Sequence, residues 1–307
     1  MKIIKQGSWM NTIRRAGPGQ FETGATFLSS DFEGSVNLLC RSSDFEILDA
    51  SWTIFRAKDK ERRGEGRAEM LIGESAFVND KRNSVKILPD YSKCTDYLVP
   101  PGGWMGQEFH KSEILDEAPD DVSPEWKEIR ELYLEAMRGA LQAENFLLEE
   151  RGIKDLEQYE REWLASSPAC RPYNIRLPEV HEWPEYIGST HEYRMYDMYN
   201  KYLQATFWDN GDGTATGVGG YHDSFHEMNA TLTYRLSDGV ITDVDLTMVR
   251  VPFETCWDID RTFAEPLIGM NINEVSKRDV GKLLGGRMGC FHMVDAVIDM
   301  INLIKEK

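Results

Sequence analysis

The segment FEGSVNLLCRSSDFEILDASWTIFR (Phe32–Arg56) lies over HEMNATLTYRLSDGVITDVDLTMVR (His226–Arg250) at a constant offset of 194, without a gap. Glu33/Glu227, Leu38/Leu232, Arg41/Arg235, Ser43/Ser237, Asp44/Asp238, Ile47/Ile241, Asp49/Asp243, Thr53/Thr247 and Arg56/Arg250 are identical. The match resumes at an offset of 196, where AEMLIG (Ala68–Gly73) meets AEPLIG (Ala264–Gly269) and Cys94 falls on Cys290. Chance does not hold a register over such a length, so the chain reads as a duplicated unit. Upstream, ATF occurs at Ala25–Phe27 and at Ala205–Phe207, which places a Gly-rich insertion, DNGDGTATGVGG, in the second copy alone.

Each copy alternates apolar and polar residues with β-branched content, the period of a strand. Asp238-Gly239 marks a hairpin in the second copy; Asp44-Phe45 in the first predicts a looser turn. Near the C-terminus, Met293, Ala296, Val297, Met300, Ile301 and Ile304 form one apolar helical stripe, with Asp295, Asp299 and Asn302 opposite. Between the copies, Ser123-Pro124 opens a helix through Trp126, Ile129, Tyr133, Ala136 and Ala140 that is expected to end near Gly152. A second helix, KDLEQYEREWLA, and a proline-rich connector follow. The fold class is therefore α+β: two repeats of antiparallel strands then helices, with a helical insert between them. The divisions are 1–100, a first repeat that has lost its site; 101–180, the insert and connector; and 181–307, the second repeat, which carries the site.

The net charge of −17 leaves no basic stripe for nucleic acid. No run is apolar and long enough for a membrane span, and the N-terminus lacks the pattern of a signal peptide, so a cytoplasmic location is expected. The five cysteines are odd in number and irregularly spaced, which predicts reduced thiols. Cys40 falls in a strand and is expected to be buried. DNGDG (Asp209–Gly213) lacks the spacing and terminal glutamate of a calcium loop and reads as a turn. Tyr193, Tyr196, Tyr199 and Tyr202 recur every three residues, as core packing or a helix face would; the alternative is a pocket wall for an aromatic ligand.

Differences between the copies point to the chemistry. His226 faces Phe32, His292 faces Asp96, and Cys256 lies where the first copy has no thiol; Cys290 alone is kept, as Cys94. Thiolate and imidazole are ligands for zinc and for iron, so His226, Cys256, Cys290 and His292 form a candidate metal set. Cys290, at a helix N-terminus, is expected to favour thiolate. Buried structural thiols with a capping histidine, and metal-free thiol chemistry, are the competing readings. Asp223 and Glu227 are candidate acid/base residues, and His222 is expected to be exposed or to stand behind the ligands.

The order of these features, from a strand at His226 through the hairpin at Asp238-Gly239, Cys256 and Leu-Ile-Gly to Gly-Cys-x-His before an amphipathic helix, resembles the IscU/NifU-type iron–sulfur scaffold fold over Phe225 to Ile304. The resemblance implies two fused IscU-like units. It puts His226 in the first-ligand place, Cys256 in the second, and Cys290 with His292 in the place of the family's His-Cys pair. His226 replaces a cysteine, Met228 replaces an aspartate, and the Leu-Pro-Pro-Val-Lys chaperone motif is absent. The same segment is similar to an uncharacterised bacterial family ending in a Gly-Cys-Thr-His-Leu type motif. The expected function is that of a metal-dependent enzyme, a hydrolase, lyase or isomerase, with mononuclear Zn or Fe acting on a small aromatic or carbonyl substrate. The alternatives are a metal or iron–sulfur carrier and a ligand sensor with a structural metal. A homodimer is the expected assembly.

Overall fold

The computed structural model describes residues 2–57, 64–76, 115, 125–143, 146–152, 171, 197–285 and 288–305. Cys94, Asp96, Cys170, Ser123-Pro124, the segment KDLEQYEREWLA, the connector apart from Arg171, and Tyr193 and Tyr196 lie outside the described residues.

One antiparallel sheet of nine strands organises the described chain. The strands are β1 (Lys2–Gly17), β2 (Gln20–Ser29), β3 (Phe32–Arg41), β4 (Ile47–Ala57), β5 (Gly64–Arg67), β6 (Asp197–Asp209), β7 (Thr214–Asp223), β8 (Glu227–Arg235) and β9 (Ile241–Arg250). Their order is β5-β4-β3-β2-β1-β6-β7-β8-β9. The long strands β1 and β6 pair at the centre, and each half continues outward as a meander. Strands of the 1–100 and 181–307 segments thus belong to one sheet.

The strand period is read directly in burial. Phe32, Val36, Leu38 and Cys40 of β3 are buried on one face, as are Met228, Ala230, Leu232 and Tyr234 of β8. Fully burying a side chain such as Leu38 or Leu232 contributes about 1.5–3 kcal/mol, so a one-residue slip of either strand would cost several such terms. Two long helices cover this face. α1 (Trp126–Ala143) lies on β2 and β3, and α4 (Phe291–Lys305) lies on β7 and β6. α1 is tied down by sheet side chains: Asn11 Nδ2 donates to the Glu135 carbonyl at 2.6 Å, and Thr23 Oγ1 to that of Ala136 at 2.7 Å. The short α2 (Arg261–Ala264) and α3 (Lys277–Leu284) lead from β9 to α4; Ser276 and Asp279 form a capping box at the head of α3.

The halves share backbone hydrogen bonds at the offsets read in the sequence. Phe45 N donates to Arg41 O at 2.9 Å, and Gly239 N to Arg235 O at 2.9 Å. Gly73 N donates to Ile47 O at 2.9 Å, and Gly269 N to Ile241 O at 2.8 Å. Arg56 holds the carbonyls of Ser29 and Ser30 as Arg250 holds those of Asp223 and Ser224. The turn at Phe45 is not looser than its partner. Phe45 takes φ 64° where Gly239 takes φ 73°. A phenylalanine in the left-handed region costs roughly 1–2 kcal/mol, which the fully buried ring offsets through its edge-on contact with Phe21.

Four other expectations are corrected. The two ATF triplets are not equivalent, because Ala25–Phe27 lies in β2 and Ala205–Phe207 in β6. The Gly-rich stretch is no insertion; it is the β6–β7 turn and most of β7, with Asn210 N bonded to Thr214 O across the turn. α1 ends at Ala143, and Gly152, at φ 73°, closes a separate turn. Tyr199 and Tyr202 sit in a strand and not on a helix face; their spacing of three turns them to opposite sides, with Tyr199 packed in the core as expected and Tyr202 exposed.

Candidate metal centre

The end of β7 turns back into β8 at Asp223, whose N–H donates to His226 O at 2.9 Å. Within this turn Asp223 Oδ1 accepts from the Phe225 and His226 N–H groups at 2.7 and 2.5 Å, an Asx turn of the kind short carboxylates favour. Period two sends Tyr221 and Asp223 to the helix-covered face, and Tyr199 of β6 joins them. Both phenols donate to Asp223 Oδ2 at 2.9 Å, and their own oxygens are 3.2 Å apart.

Two histidines complete the group. His226 Nδ1 lies 3.0 Å from Asp223 Oδ1 and 3.1 Å from Oδ2. His292, in the first turn of α4, brings Nε2 to 4.0 Å from Asp223 Oδ2, and its ring lies 4.0 Å from that of His226 between centroids. One donor atom from each of Asp223, His226 and His292 falls within a sphere of mutual distances no greater than 4.8 Å. Two imidazoles and a carboxylate are the donor set of mononuclear zinc and non-haem iron sites that keep open positions.

The electrostatics suit a cation. Burial works against the charge of Asp223, yet His226, then His292 and the Phe225 N–H, hold the carboxyl well below the ordinary range. Burial, then the neighbouring His226, pushes His292 down to about 3, so it is the neutral imidazole a metal requires. Burial raises Tyr199 and Tyr221 well above the usual phenol value, so both remain donors to Asp223. A cavity of about 20 Å³, lined by His292, Tyr199, Tyr221, Lys201, Glu135 and others, adjoins the cluster. That is room for about one water.

The expected ligand set is thus only partly gathered. His226 and His292 meet as the sequence suggests, and Asp223, read there as an acid/base candidate, joins them as a donor. Cys290 is adjacent, with Sγ 4.0 Å from His292 Nδ1, and stands outside the three-donor group. It caps α4: the N–H groups of Met293 and His292 point at its sulfur. Burial dominates over that helix-end effect and pushes the thiol up to about 12, the opposite direction to the shift expected from the sequence. Gly289 permits the tight entry, since a Cβ there would come 2.1 Å from Leu284 O. Cys256 lies in the 3-10 turn Glu254–Asp258, buried and pushed up to about 11 by that burial. Glu227 faces the other side of the sheet, where His222 Nδ1 is 3.7 Å from it, so neither residue reaches the cluster. Cys40 is buried in β3 as expected.

Tyr221 escaped the sequence reading, and Asp223 was read there in another role, although the repeat holds the signal for both. Carried upstream, the offset of 194 sets Tyr221 against Phe27 and Asp223 against Ser29. Strand register sets Tyr199 against Lys5, because Lys201 pairs with Asp223 as Gly7 pairs with Ser29. Around this point the second half is polar where the first is mostly apolar or small.

Residues 202–305 match the model of a family described as a protein of unknown function (DUF2889). That span contains Asp223, His226 and His292 and agrees with the C-terminal resemblance to an uncharacterised family. No curated protein and no solved structure matches the chain. Among the described residues no helix is long and apolar enough to cross a membrane.

Proposed function

We propose that this chain is a metal-dependent enzyme acting on a small organic substrate, with one zinc or iron held by Asp223, His226 and His292. The observation that carries the reading is the convergence of these three donors, one of them a carboxylate fixed by two phenols and two backbone amides. Three protein ligands leave positions for water or substrate, and the water-sized cavity lies beside them. A metal there would polarise a carbonyl or activate water. The chain's own part is to fix Asp223, to keep His292 neutral and to exclude bulk water by packing α4 over the cluster.

A second reading is favoured by the small size of that same cavity: a ligand-binding sensor in which the metal is structural. Substrate turnover needs α1 or the head of α4 to move, whereas a structural metal does not. An iron–sulfur carrier finds less support, because the three-donor group contains neither Cys256 nor Cys290. We further infer that the halves descend from one duplicated IscU-like unit. What supports this is the shared turns and arginine contacts, with the hairpin, the Cys256 turn and the Gly-Cys-x-His helix head in the order of that family.

Elemental analysis of wild type, His226→Ala, His292→Ala, Cys256→Ser and Cys290→Ser tests the centre. Wild type is expected to carry stoichiometric zinc or iron, both histidine variants to lose it, and both serine variants to keep it. Metal-free wild type would overturn the reading, and loss in Cys290→Ser would return the ligand role to the thiol.

A further inference from the structure

Among the described residues, the place in the first half that corresponds to the metal cluster opens on a cavity. A cavity of about 630 Å³ is lined there by Lys5, Phe27, Ser29 and Phe32, the counterparts of Tyr199, Tyr221, Asp223 and His226. Its volume lies within the range of small-molecule sites, roughly 300–1,000 Å³.

The lining has two chemistries. Along the sheet runs a ladder of rings: Trp9 stacks on Phe27 at 4.8 Å and 17° between planes, and Phe27 faces Phe32 at 6.2 Å and 26°. The opposite wall is α1, which presents Glu128, Glu131 and Leu132. Glu128 Oε2 is buried and has no hydrogen-bond partner among the described residues. Lys127 of the wall is exposed, and the other three cations have other engagements. Arg138 bonds Glu135 at 3.0 Å, Lys5 lies 3.9 Å from Asp31, and Lys305 donates to the Val275 carbonyl. A buried carboxylate oxygen opposite an aromatic ladder is matched by a flat ring carrying a positive charge.

We propose that this cavity is a second ligand site, which takes a small aromatic molecule bearing a cationic amine. The ring lies along Trp9, Phe27 and Phe32, and the ammonium meets Glu128. The first half has exchanged a polar cluster for a binding pocket, and the site stands whether or not the second half holds a metal.

Isothermal titration of the full chain with tryptamine, indole-3-propionate and 3-methylindole tests this. Tryptamine is expected to bind saturably, and the carboxylate and the neutral compound at least about tenfold more weakly, the worth of one charged hydrogen bond. Glu128→Gln, on a half-buried helix position, is expected to weaken tryptamine about tenfold and to leave thermal unfolding unchanged. His226→Ala is expected to leave tryptamine binding intact. Equal binding of amine and carboxylate, no saturable binding of tryptamine, or loss in His226→Ala with retention in Glu128→Gln would each overturn the proposal.

Discussion

Ser29 and Asp223 perform one backbone task in the two halves: each accepts the N–H groups two and three residues ahead. Ser29 Oγ takes Asp31 and Phe32 at 3.2 and 3.1 Å, and Asp223 Oδ1 takes Phe225 and His226 at 2.7 and 2.5 Å. The carboxylate keeps a second oxygen, which the serine lacks, and that oxygen meets Tyr199 and Tyr221. A turn common to both halves thus holds a candidate ligand in one of them through a difference of side chain alone.

The first prediction follows from that pair. Asp223→Ser is expected to fold, because serine already makes this turn in the first half. The two buried phenols lose their acceptor, at a cost of about 1–3 kcal/mol. Metal content is expected to fall to background. A melt and an elemental analysis on the same sample separate the effects: a well-folded serine variant that keeps its metal would remove Asp223 from the ligand set.

The phenols are expected to matter more for affinity than for stability. Tyr199→Phe or Tyr221→Phe removes one donor to Asp223 and leaves the packing of the ring. Partners behind a ligand typically change metal affinity about 10–100-fold. Competition against a chelator of known affinity measures this, and unchanged affinity in both variants would mean that the carboxylate is oriented by its backbone bonds alone.

A third prediction concerns the contact between α1 and β6. Lys201 Nζ lies 2.5 Å from Glu135 Oε1, both residues buried, and Arg138 reaches the other oxygen at 3.0 Å. Burial opposes both charges, but Lys201 and Arg138 hold the Glu135 carboxyl below its ordinary value, and Glu135 with Asp295 and Asp299 holds Lys201 above its own. Glu135→Leu leaves the buried Lys201 facing the half-buried Arg138 and is expected to cost about 3–5 kcal/mol. Adding Lys201→Met should recover part of that loss, which urea unfolding of the single and double variants would read.

Much of this was legible in the sequence, for physical reasons. Strand register repeats at an offset of 194 because the same hydrophobic alternation and the same turns must recur in both halves. His226 and His292 stood out because they replace Phe32 and Asp96. The role of Asp223 did not, because a carboxylate in a tight turn looks like local turn chemistry until its second oxygen is seen among phenols. The ATF triplets misled because three residues carry too little information against strand pairing, which alone aligns β1 with β6. The polar face assigned to α4 failed at Asp295, which is buried: a helix pressed between a sheet and its neighbours has little solvent face to offer.

Asp299 supplies the last prediction, a pH dependence. It lies one turn beyond Asp295 on α4, lines the large cavity, and is half-buried. Burial first, then the charge of Asp295, pushes its carboxyl up to about 7, against the pull of Lys201 and Arg138. Since the ordinary aspartate value is about 3.9, the folded protein holds a proton between roughly pH 4 and 7 that the unfolded chain has released. Stability therefore falls as pH rises through that window and levels above it. The full shift corresponds to about 4 kcal/mol, and solvent in the cavity reduces this to about 1–3 kcal/mol. Asp299→Asn removes the penalty. Its unfolding midpoint in urea is expected to match wild type near pH 4 and to exceed it near pH 8, with the gap widening between about pH 4 and 7. A gap of the same size at both pH values would show that the proton on Asp299 plays no part and that the substitution acts through packing alone.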